Sequence, residues 1–243
     1  MTPWRFYNKQ GRTIKVKLLA LDTSTEACSV ALLYQGGVIA LDEVCPQQHS
    51  KRILPMIDGL LAETGLSLTG LDGIVFGRGP GSFTGVRIGV SVAQGLAFGA
   101  DLPVFGVSTL AAMAQAAVRL HQATQIVAAI DARMAEVYLA SFACDANGIV
   151  QPLTAEQAVR PQLLAPLGLS GKVMAVGTGW QTYAAELQRA QPARIASDIL
   201  YPSAQDMLSL AQQAFRDSLF VSAEQAEPVY VRDEVSWKKL PGR

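Results

Sequence analysis

The first half of the chain alternates between short apolar runs and longer segments in which apolar residues recur three and four positions apart. Such runs predict strands, and such spacing predicts helices. Gly36 and Gly37 predict a hairpin turn, because glycine tolerates the positive φ of tight turns. The predicted order is three strands, helix, strand, helix, strand, helix, with strands at about 17–22, 29–34, 38–44, 72–76 and 104–107 and helices at about 50–64, 82–98 and from 108. An antiparallel trio followed by βα units is the order of the ribonuclease-H-like half of actin-type proteins.

The second half repeats this pattern with weaker signals and more Pro and Gly. It predicts strands at about 126–130, 136–142 and 173–176 and helices at about 181–191 and 203–219. The expected fold is therefore α/β, of the actin-like (ASKHA) type, with duplicated ribonuclease-H-like domains of which the second is smaller and degenerate. The predicted division begins with a flexible N-terminal extension at 1–15, followed by a first domain at 16–108 and a second at 109–202. A helix at about 203–220 can pack back on the first domain, and a tail follows at 221–243.

Composition narrows the class of function. The chain has 243 residues, 50% of them hydrophobic, and equal numbers of Lys+Arg and Asp+Glu, 20 of each. A protein that bound nucleic acid unaided would usually show a basic excess, so any contact with RNA is expected to be shared with a partner. No apolar run approaches the roughly 20 residues that span a bilayer, so we expect a cytoplasmic protein with no membrane contact.

Cysteine and histidine contents argue against metal and disulfide frameworks. Cys28, Cys45 and Cys144 are widely spaced and form no CxxC pair, so neither a disulfide framework nor a thiolate zinc site is expected. The two histidines, His49 and His121, are too far apart in sequence to form a His-x-x-x-His pair. We therefore assign no metal-binding and no catalytic residues.

Two segments could carry an anion or nucleotide site. Asp22 and Thr23 end the first strand, where a carboxylate and hydroxyls could hold a metal-bound phosphate or simply cap a turn. The glycine-rich stretch at 77–85 feeds a helix whose free N–H groups favour an anion, although no Walker A lysine follows. A phosphate site and a purely structural turn both remain open here; the candidate residues are Asp22, Thr23, Gly79, Gly81, Ser82 and Thr84.

The helix after this loop has a face of small residues. Gly85, Gly89, Ala93 and Ala97 recur every four positions, and Arg87 lies on the same helix. A glycine inside a helix costs about 1 kcal/mol relative to alanine, so this face suggests that another element presses close to the backbone. That element is either the domain's own sheet or a helix of another protein, and we predict these five residues as a partner interface.

Taken together, these residues resemble the TsaB family, also called YeaZ. The motifs that carry the resemblance span nearly the whole chain from Val16: LLALDTSTEACSVALL at 18–33, HSKRILPMI at 49–57, GRGPGSFTGVRIG at 77–89, DARMAEVY at 131–138, GTGW at 177–180 and PVYVRDEVSWKKLPG at 228–242. The glycine-rich motif at 77–89 is the most specific of them.

The resemblance implies a non-catalytic subunit in the synthesis of threonylcarbamoyladenosine (t6A) in tRNA. The catalytic paralogue TsaD carries a metal-binding His-x-x-x-His, and Thr109 and Met113 stand at the matching positions here. The family pairs with TsaD through helices of the first domain, forms a similar homodimer, and as a TsaB–TsaD pair recruits the ATPase TsaE. No cofactor of its own is implied, while ATP or ADP can lie at the interface of the complex.

Two other functions are weighed against this one. An ATP-dependent actin-fold enzyme, such as a small-molecule kinase, would use Asp22 and the two glycine-rich loops. A peptidase would need a nucleophile in a suitable turn, but the sequence contains no Gly-x-Ser-x-Gly elbow.

Overall fold

The computed structural model describes residues 16–232, together with the backbone of two short strands, Phe6–Tyr7 (β1) and Thr13–Ile14 (β2), which pair with each other. The other residues of 1–15 and all of 233–243 lie outside the described part of the chain. The expected flexible extension and the end of the expected tail therefore stay predictions.

The first half of the chain forms a five-stranded sheet. Its strands are β3 (Leu18–Asp22), β4 (Ala27–Tyr34), β5 (Gly37–Val44), β6 (Gly73–Gly79) and β7 (Val104–Ser108). They lie in the order β5-β4-β3-β6-β7. The first three pair antiparallel, whereas β3, β6 and β7 are parallel.

The second sheet repeats this connectivity. Its strands are β8 (Gln125–Arg133), β9 (Glu136–Cys144), β10 (Val150–Pro152), β11 (Gln157–Val159), β12 (Val173–Val176) and β13 (Arg194–Ile195). The order is β10-β9-β8-β12-β13, with β11 as a further partner of β9. Because the antiparallel trio and the parallel strands recur in the same arrangement, the predicted duplicated α/β fold is confirmed.

Helices cover both faces of each sheet. They are α1 (His49–Thr64), α2 (Phe83–Ala100), α3 (Thr109–His121), α4 (Gly179–Thr182), α5 (Ala184–Ala190) and α6 (Ala204–Arg216). α1 and α2 pack on one face of the first sheet and α6 on the other. In the second sheet α3 covers one face, and Trp180 of α4 and Leu187 of α5 pack on the other. We call the first sheet with α1, α2 and α6 the first lobe, and the second sheet with α3, α4 and α5 the second lobe.

Burial of β3 shows why the strand reads as a continuous apolar run. Leu19 and Leu21 face the core under α1 and α2, whereas Leu18 and Ala20 face the core under α6. Side chains alternate between the two faces of a strand. When helices cover both faces of the sheet, every side chain of the strand is buried, so apolar residues are favoured at each position. This covering fixes where the strand ends and therefore where Asp22 lies.

The two lobes meet through α3 and α6. Arg119 of α3 donates to both carboxylate oxygens of Asp206 in α6, over 2.7 and 2.9 Å, and the Asp206 side chain is fully buried. The domain boundaries at 108 and 202 stay predictions. No helix within residues 16–232 is long and apolar enough to cross a bilayer.

Candidate functional site

Asp22 lies at the end of β3 and is completely buried. Its Oδ1 accepts hydrogen bonds from the backbone N–H and the hydroxyl of Ser24, over 2.9 and 2.8 Å. Its Oδ2 is buried and has no hydrogen-bond partner among the described residues. Burial raises the pKa of Asp22 to about 6, although the hydrogen bonds from Ser24 act in the opposite direction. The hydroxyl of Thr109, at the start of α3, donates to that of Ser24 over 3.0 Å and so ties this strand end to the second lobe.

The glycine-rich loop packs directly against this strand end. A Cβ added at Gly77 would overlap Oδ2 of Asp22, and one added at Gly81 would overlap the carbonyl oxygen of Ser24. The same carbonyl accepts the backbone N–H of Ser82 over 2.7 Å. Only glycine allows two backbone segments to approach this closely. The geometry therefore favours the tight structural turn over the phosphate cradle, the two readings that the sequence left open.

The remaining candidate loop residues are distributed over different surroundings. Ser82 caps α2, because its side chain accepts the N–H of Gly85. Gly79 has φ +97° and lies under the carbonyl of Val229 near the end of the described chain. Thr84 is exposed on α2 and lines a groove between α1 and α2. The structure thus brings Asp22, Thr23, Gly81 and Ser82 together and leaves Thr84 outside the group.

The small-residue face of α2 is turned inward, so its assignment to a partner interface is wrong. Gly85 lies against the carbonyl of Thr23, whose hydroxyl donates to the Gly85 carbonyl over 2.7 Å. Gly89 lies against the same hydroxyl, and Ala93 and Ala97 are fully buried. The element that presses close to Gly85 and Gly89 is the end of the chain's own β3, and Ala93 and Ala97 lie in the core between α2 and the first sheet.

Arg87 and the residues beside it form the exposed side of α2. A groove runs between this side and α1, and its lining is mostly apolar; the lining residues are Ser50, Phe83, Thr84, Arg87, Ile88, Ser91 and Val92. Large apolar side chains remain exposed along the same two helices, including Leu54 at 44%, Phe83 at 53% and Phe98 at 71%. We call this surface the α1–α2 face.

The second glycine-rich loop, which opens α4, mirrors the first. A Cβ at Gly177 would overlap the carbonyl of Ala129 in β8, and the Gly177 N–H already donates to the carbonyl of Ile199 over 2.8 Å. The Thr178 hydroxyl accepts the backbone N–H of Asp131 over 3.1 Å. Both glycine-rich loops are therefore in close contact with the strand ends behind them. We call these two loops, at 77–85 and 177–179, together with those strand ends, the cleft.

Thr109 and Met113 are both engaged in packing. Thr109 is 1% exposed and bonds to Ser24, and Met113 is fully buried in the core beneath α3. Within residues 16–232 no cluster of three or more His, Cys, Asp or Glu side chains is arranged to hold a metal ion.

A segment that the sequence patterns missed joins the two lobes. We call residues 226–232 the C-terminal strap. The N–H of Val229 donates to the carbonyl of Arg78 in β6 over 2.8 Å, and Arg232 donates to Glu136 of β9 over 2.6 Å. The motif at 228–242 gave no periodic signal, so only the folded chain reveals that the strap joins the two lobes.

Comparison with known proteins bears on these features. The sequence model of the family described as "TsaD: tRNA N6-adenosine threonylcarbamoyltransferase" matches residues 27–240. The tRNA threonylcarbamoyladenosine biosynthesis protein TsaB of Escherichia coli K12 is 49% identical over 230 residues, which cover 94% of this chain and 100% of that protein. The protein of the same name from Haemophilus influenzae is 51% identical and covers 93% of this chain and 98% of its own length. The solved structure of YeaZ from Pseudomonas aeruginosa aligns with a TM-score of 0.83 at 46% identity, over 88% of this chain and 99% of that one.

Proposed function

The chain belongs to the TsaB family, and most of its length also matches the TsaD family model. From this premise we propose that it is the non-catalytic subunit that binds TsaD. Membership supports a role in the biosynthesis of threonylcarbamoyladenosine in tRNA, the process that the names of its relatives state. In the proposed complex TsaD transfers threonylcarbamoyl to the adenosine beside the anticodon, and this chain supports TsaD by binding it.

The observation that carries the proposal is the contrast between the cleft and the α1–α2 face. In the cleft, the carbonyl of Ser24 and the backbone of Gly77 and Gly81 are used in contacts within the chain. On the outside, α1 and α2 present an apolar groove with exposed aromatic side chains. An apolar groove with exposed large apolar side chains on the helices that border it is typical of protein-binding sites.

The surroundings of Thr109 and Met113 support the non-catalytic part of the proposal. A thioether and a hydroxyl are poor substitutes for two imidazoles as ligands of a transition metal. Met113 lies in the core and Thr109 donates to Ser24, so both side chains already have structural roles.

The proposed binding of this chain to TsaD also accounts for the other proposed partners. The α1–α2 face is proposed to bind TsaD and, in its absence, a second copy of this chain. The TsaB–TsaD pair would then recruit the ATPase TsaE, with ATP or ADP bound at the interface of the complex. Contact with tRNA would come only through the complex, consistent with the balance of 20 basic and 20 acidic residues.

Co-purification with TsaD, followed by a tRNA modification assay with and without this chain, tests the proposal. We expect a stable pair, no modified base from this chain alone, and full activity only when both are present. Turnover by this chain in the absence of TsaD would overturn the non-catalytic assignment, and failure to associate would overturn the docking.

A pair of variants tests the location of the docking surface. Ser91→Arg places a long charged side chain in the groove, because Ser91 is exposed on α2 and lines it. Leu163→Arg is the matched control, since Leu163 is 75% exposed in the second lobe. We expect only Ser91→Arg to abolish binding to TsaD, while both variants keep the unfolding temperature of the unmodified chain.

The kinase alternative predicts a different measurement. It requires tight binding of magnesium ATP by the chain alone, with the β3 end and the glycine loop around the phosphates. The close packing of Gly77 on the Asp22 carboxylate, which leaves no room for a Cβ there, disfavours that arrangement. Calorimetry that found submicromolar binding and hydrolysis by the isolated chain would reverse this preference.

A further inference from the structure

Arg87 is an exposed cation that lies next to two neighbouring aromatic rings. Its guanidinium carbon lies 3.7 Å from the centroid of the Phe83 ring and 5.6 Å from that of Tyr230. Its Nε donates to the Tyr230 hydroxyl over 2.7 Å. The two rings are 5.6 Å apart, and Phe83 and Tyr230 remain 53% and 47% exposed. The charge is therefore held in one orientation at the surface, unlike that of an ordinary exposed arginine.

No carboxylate within residues 16–232 forms an ion pair with Arg87. Several other arginines do have acidic partners: Arg52, Arg78, Arg119, Arg133 and Arg232. The Nε of Arg87 is used by Tyr230, while its two terminal nitrogens have no hydrogen bond to another residue of the described chain. These nitrogens have the spacing that binds a carboxylate through two parallel hydrogen bonds.

Tyr230 is fixed from both sides by the C-terminal strap. Before it, Val229 bonds to the carbonyl of Arg78 over 2.8 Å. After it, Arg232 bonds to the Glu136 carboxylate over 2.6 Å and to the Ala132 carbonyl over 3.2 Å. Because these anchors lie on different lobes, the position of the Tyr230 ring depends on contacts remote from the α1–α2 face.

We propose that Tyr230 is a positioning residue of the docking surface, which together with Phe83 holds Arg87 ready to bind a carboxylate side chain of TsaD. This inference rests on the proposed function and adds the chemistry of the partner. Phe83 and Arg87 both line the apolar groove, so the oriented charge borders the surface that would be buried on docking. Orienting the guanidinium beforehand removes the rotamer entropy that a free arginine would lose on binding.

The affinity of the full chain for TsaD, measured at several salt concentrations, tests the arrangement directly. Arg87→Gln should weaken binding by about 10- to 100-fold, since a charge-assisted pair at the edge of an interface is lost. Tyr230→Ala should weaken it by about tenfold, because ring and hydroxyl are both removed, and Tyr230→Phe by about threefold, because the ring stays. Only Arg87→Gln should reduce the salt dependence of association, since the tyrosine variants keep the charge.

Remote variants separate positioning from direct contact. Arg232→Gln and Glu136→Gln remove one anchor of the strap without altering the α1–α2 face, and each should weaken binding by about threefold while leaving the salt dependence unchanged. Two controls should leave the affinity unchanged. Arg189→Gln removes an exposed cation of the second lobe, and Tyr34→Phe removes a hydroxyl that is bonded only to Gln35.

The possible outcomes distinguish this inference from the function on which it rests. If the unmodified chain does not bind TsaD, the proposed function falls. If it binds and Tyr230→Ala binds equally tightly with an unchanged unfolding temperature, the positioning role is overturned and the proposed function stands. If Arg87→Gln disrupts only the homodimer and leaves TsaD binding intact, the carboxylate belongs to a second copy of this chain and the inference is again overturned.

Discussion

Replacing Asp22 by Asn should stabilise the protein at neutral pH and leave its stability at pH 4 almost unchanged. Burial raises the pKa of Asp22 from 3.8 to about 6. Between these two pH values the folded chain holds a proton that the unfolded chain has released, so stability falls as the pH rises through this range. Above pH 6 the buried ionised carboxylate costs about 3 kcal/mol relative to its protonated form.

Asparagine imitates the protonated carboxyl group at this position. Its side-chain oxygen can still accept the two hydrogen bonds from Ser24, which join Oδ1 of Asp22 in the native chain. Its amide nitrogen would replace Oδ2, the oxygen that carries the proton of the neutral acid and that has no partner among the described residues. The unsatisfied donor is therefore common to asparagine and the protonated carboxyl group, and it cancels in their comparison. We therefore expect a gain of about 3 kcal/mol in the free energy of unfolding at pH 7.5, which is the cost of ionising the buried carboxyl group.

Urea unfolding from pH 4 to pH 8 measures this effect. The informative quantity is the difference between Asp22→Asn and the unmodified chain, because other groups titrate equally in both proteins. Asp131→Asn is the control, since the Asp131 carboxylate lies 3.6 Å from Arg133 and accepts its backbone N–H. That variant should bring no gain. A difference for Asp22→Asn that stays constant from pH 4 to pH 8, or a loss of stability at pH 8, would refute the assignment of a raised pKa to this carboxyl group.

Further predictions concern packing and buried polar contacts, each checked by urea unfolding at pH 7.5. Gly85→Ala should cost about 2–3 kcal/mol because its methyl group would overlap the Thr23 carbonyl, whereas Gly95→Ala in the same helix, with nothing within 4 Å, should gain about 0.5–1 kcal/mol. Arg119→Met should cost about 3–5 kcal/mol because it leaves the fully buried Asp206 unpaired, and adding Asp206→Leu should recover most of that loss. Trp180→Phe should cost about 1–3 kcal/mol, since it removes the buried indole donor that bonds to the β8 backbone; equal stability would show that water satisfies that carbonyl.

The fold was predictable because its main strands are long apolar runs covered on both faces. β3 and β8 lie at the centres of their sheets, and their alternate residues enter different cores. β10, β11 and β13 were missed because strands of two or three residues carry too little periodicity. The single helix predicted at 181–191 is interrupted at Tyr183, whose φ of −125° is incompatible with a continuous helix.

The orientation of α2 could not be predicted for a different physical reason. One face of α2 consists of glycine and alanine, and a second apolar row on the same helix is formed by Ile88, Val92 and Leu96. Because both are apolar, periodicity does not decide which of them is buried. Small residues allow a close approach of any backbone, whether from the same chain or from another. The choice was settled by Thr23, whose carbonyl lies where a Cβ at Gly85 would be.

The link between Arg87 and Tyr230 lay beyond any local pattern, since 143 positions separate the two residues. The strap that carries Tyr230 is irregular, and its bonds go to Arg78 in one lobe and Glu136 in the other. Sequence identified Arg87 as a candidate contact, but what holds its guanidinium in place depends on how the two lobes are joined.

The packing of the two glycine loops decides which ligands can stabilise this chain. A ligand that binds only the folded state raises its stability in proportion to the logarithm of its concentration over its Kd. Gly77 and Gly81 lie against the end of β3, and Gly177 lies against β8, so the cleft offers little backbone to a phosphate. The α1–α2 face, by contrast, is apolar and open. We therefore expect millimolar magnesium ATP to leave the unfolding temperature of the isolated chain unchanged. An equimolar amount of the proposed partner TsaD, at micromolar concentration, should raise that temperature by several degrees. A large shift with nucleotide alone would mean that the loops separate from their strands, and the cleft would then have to be considered as the binding site.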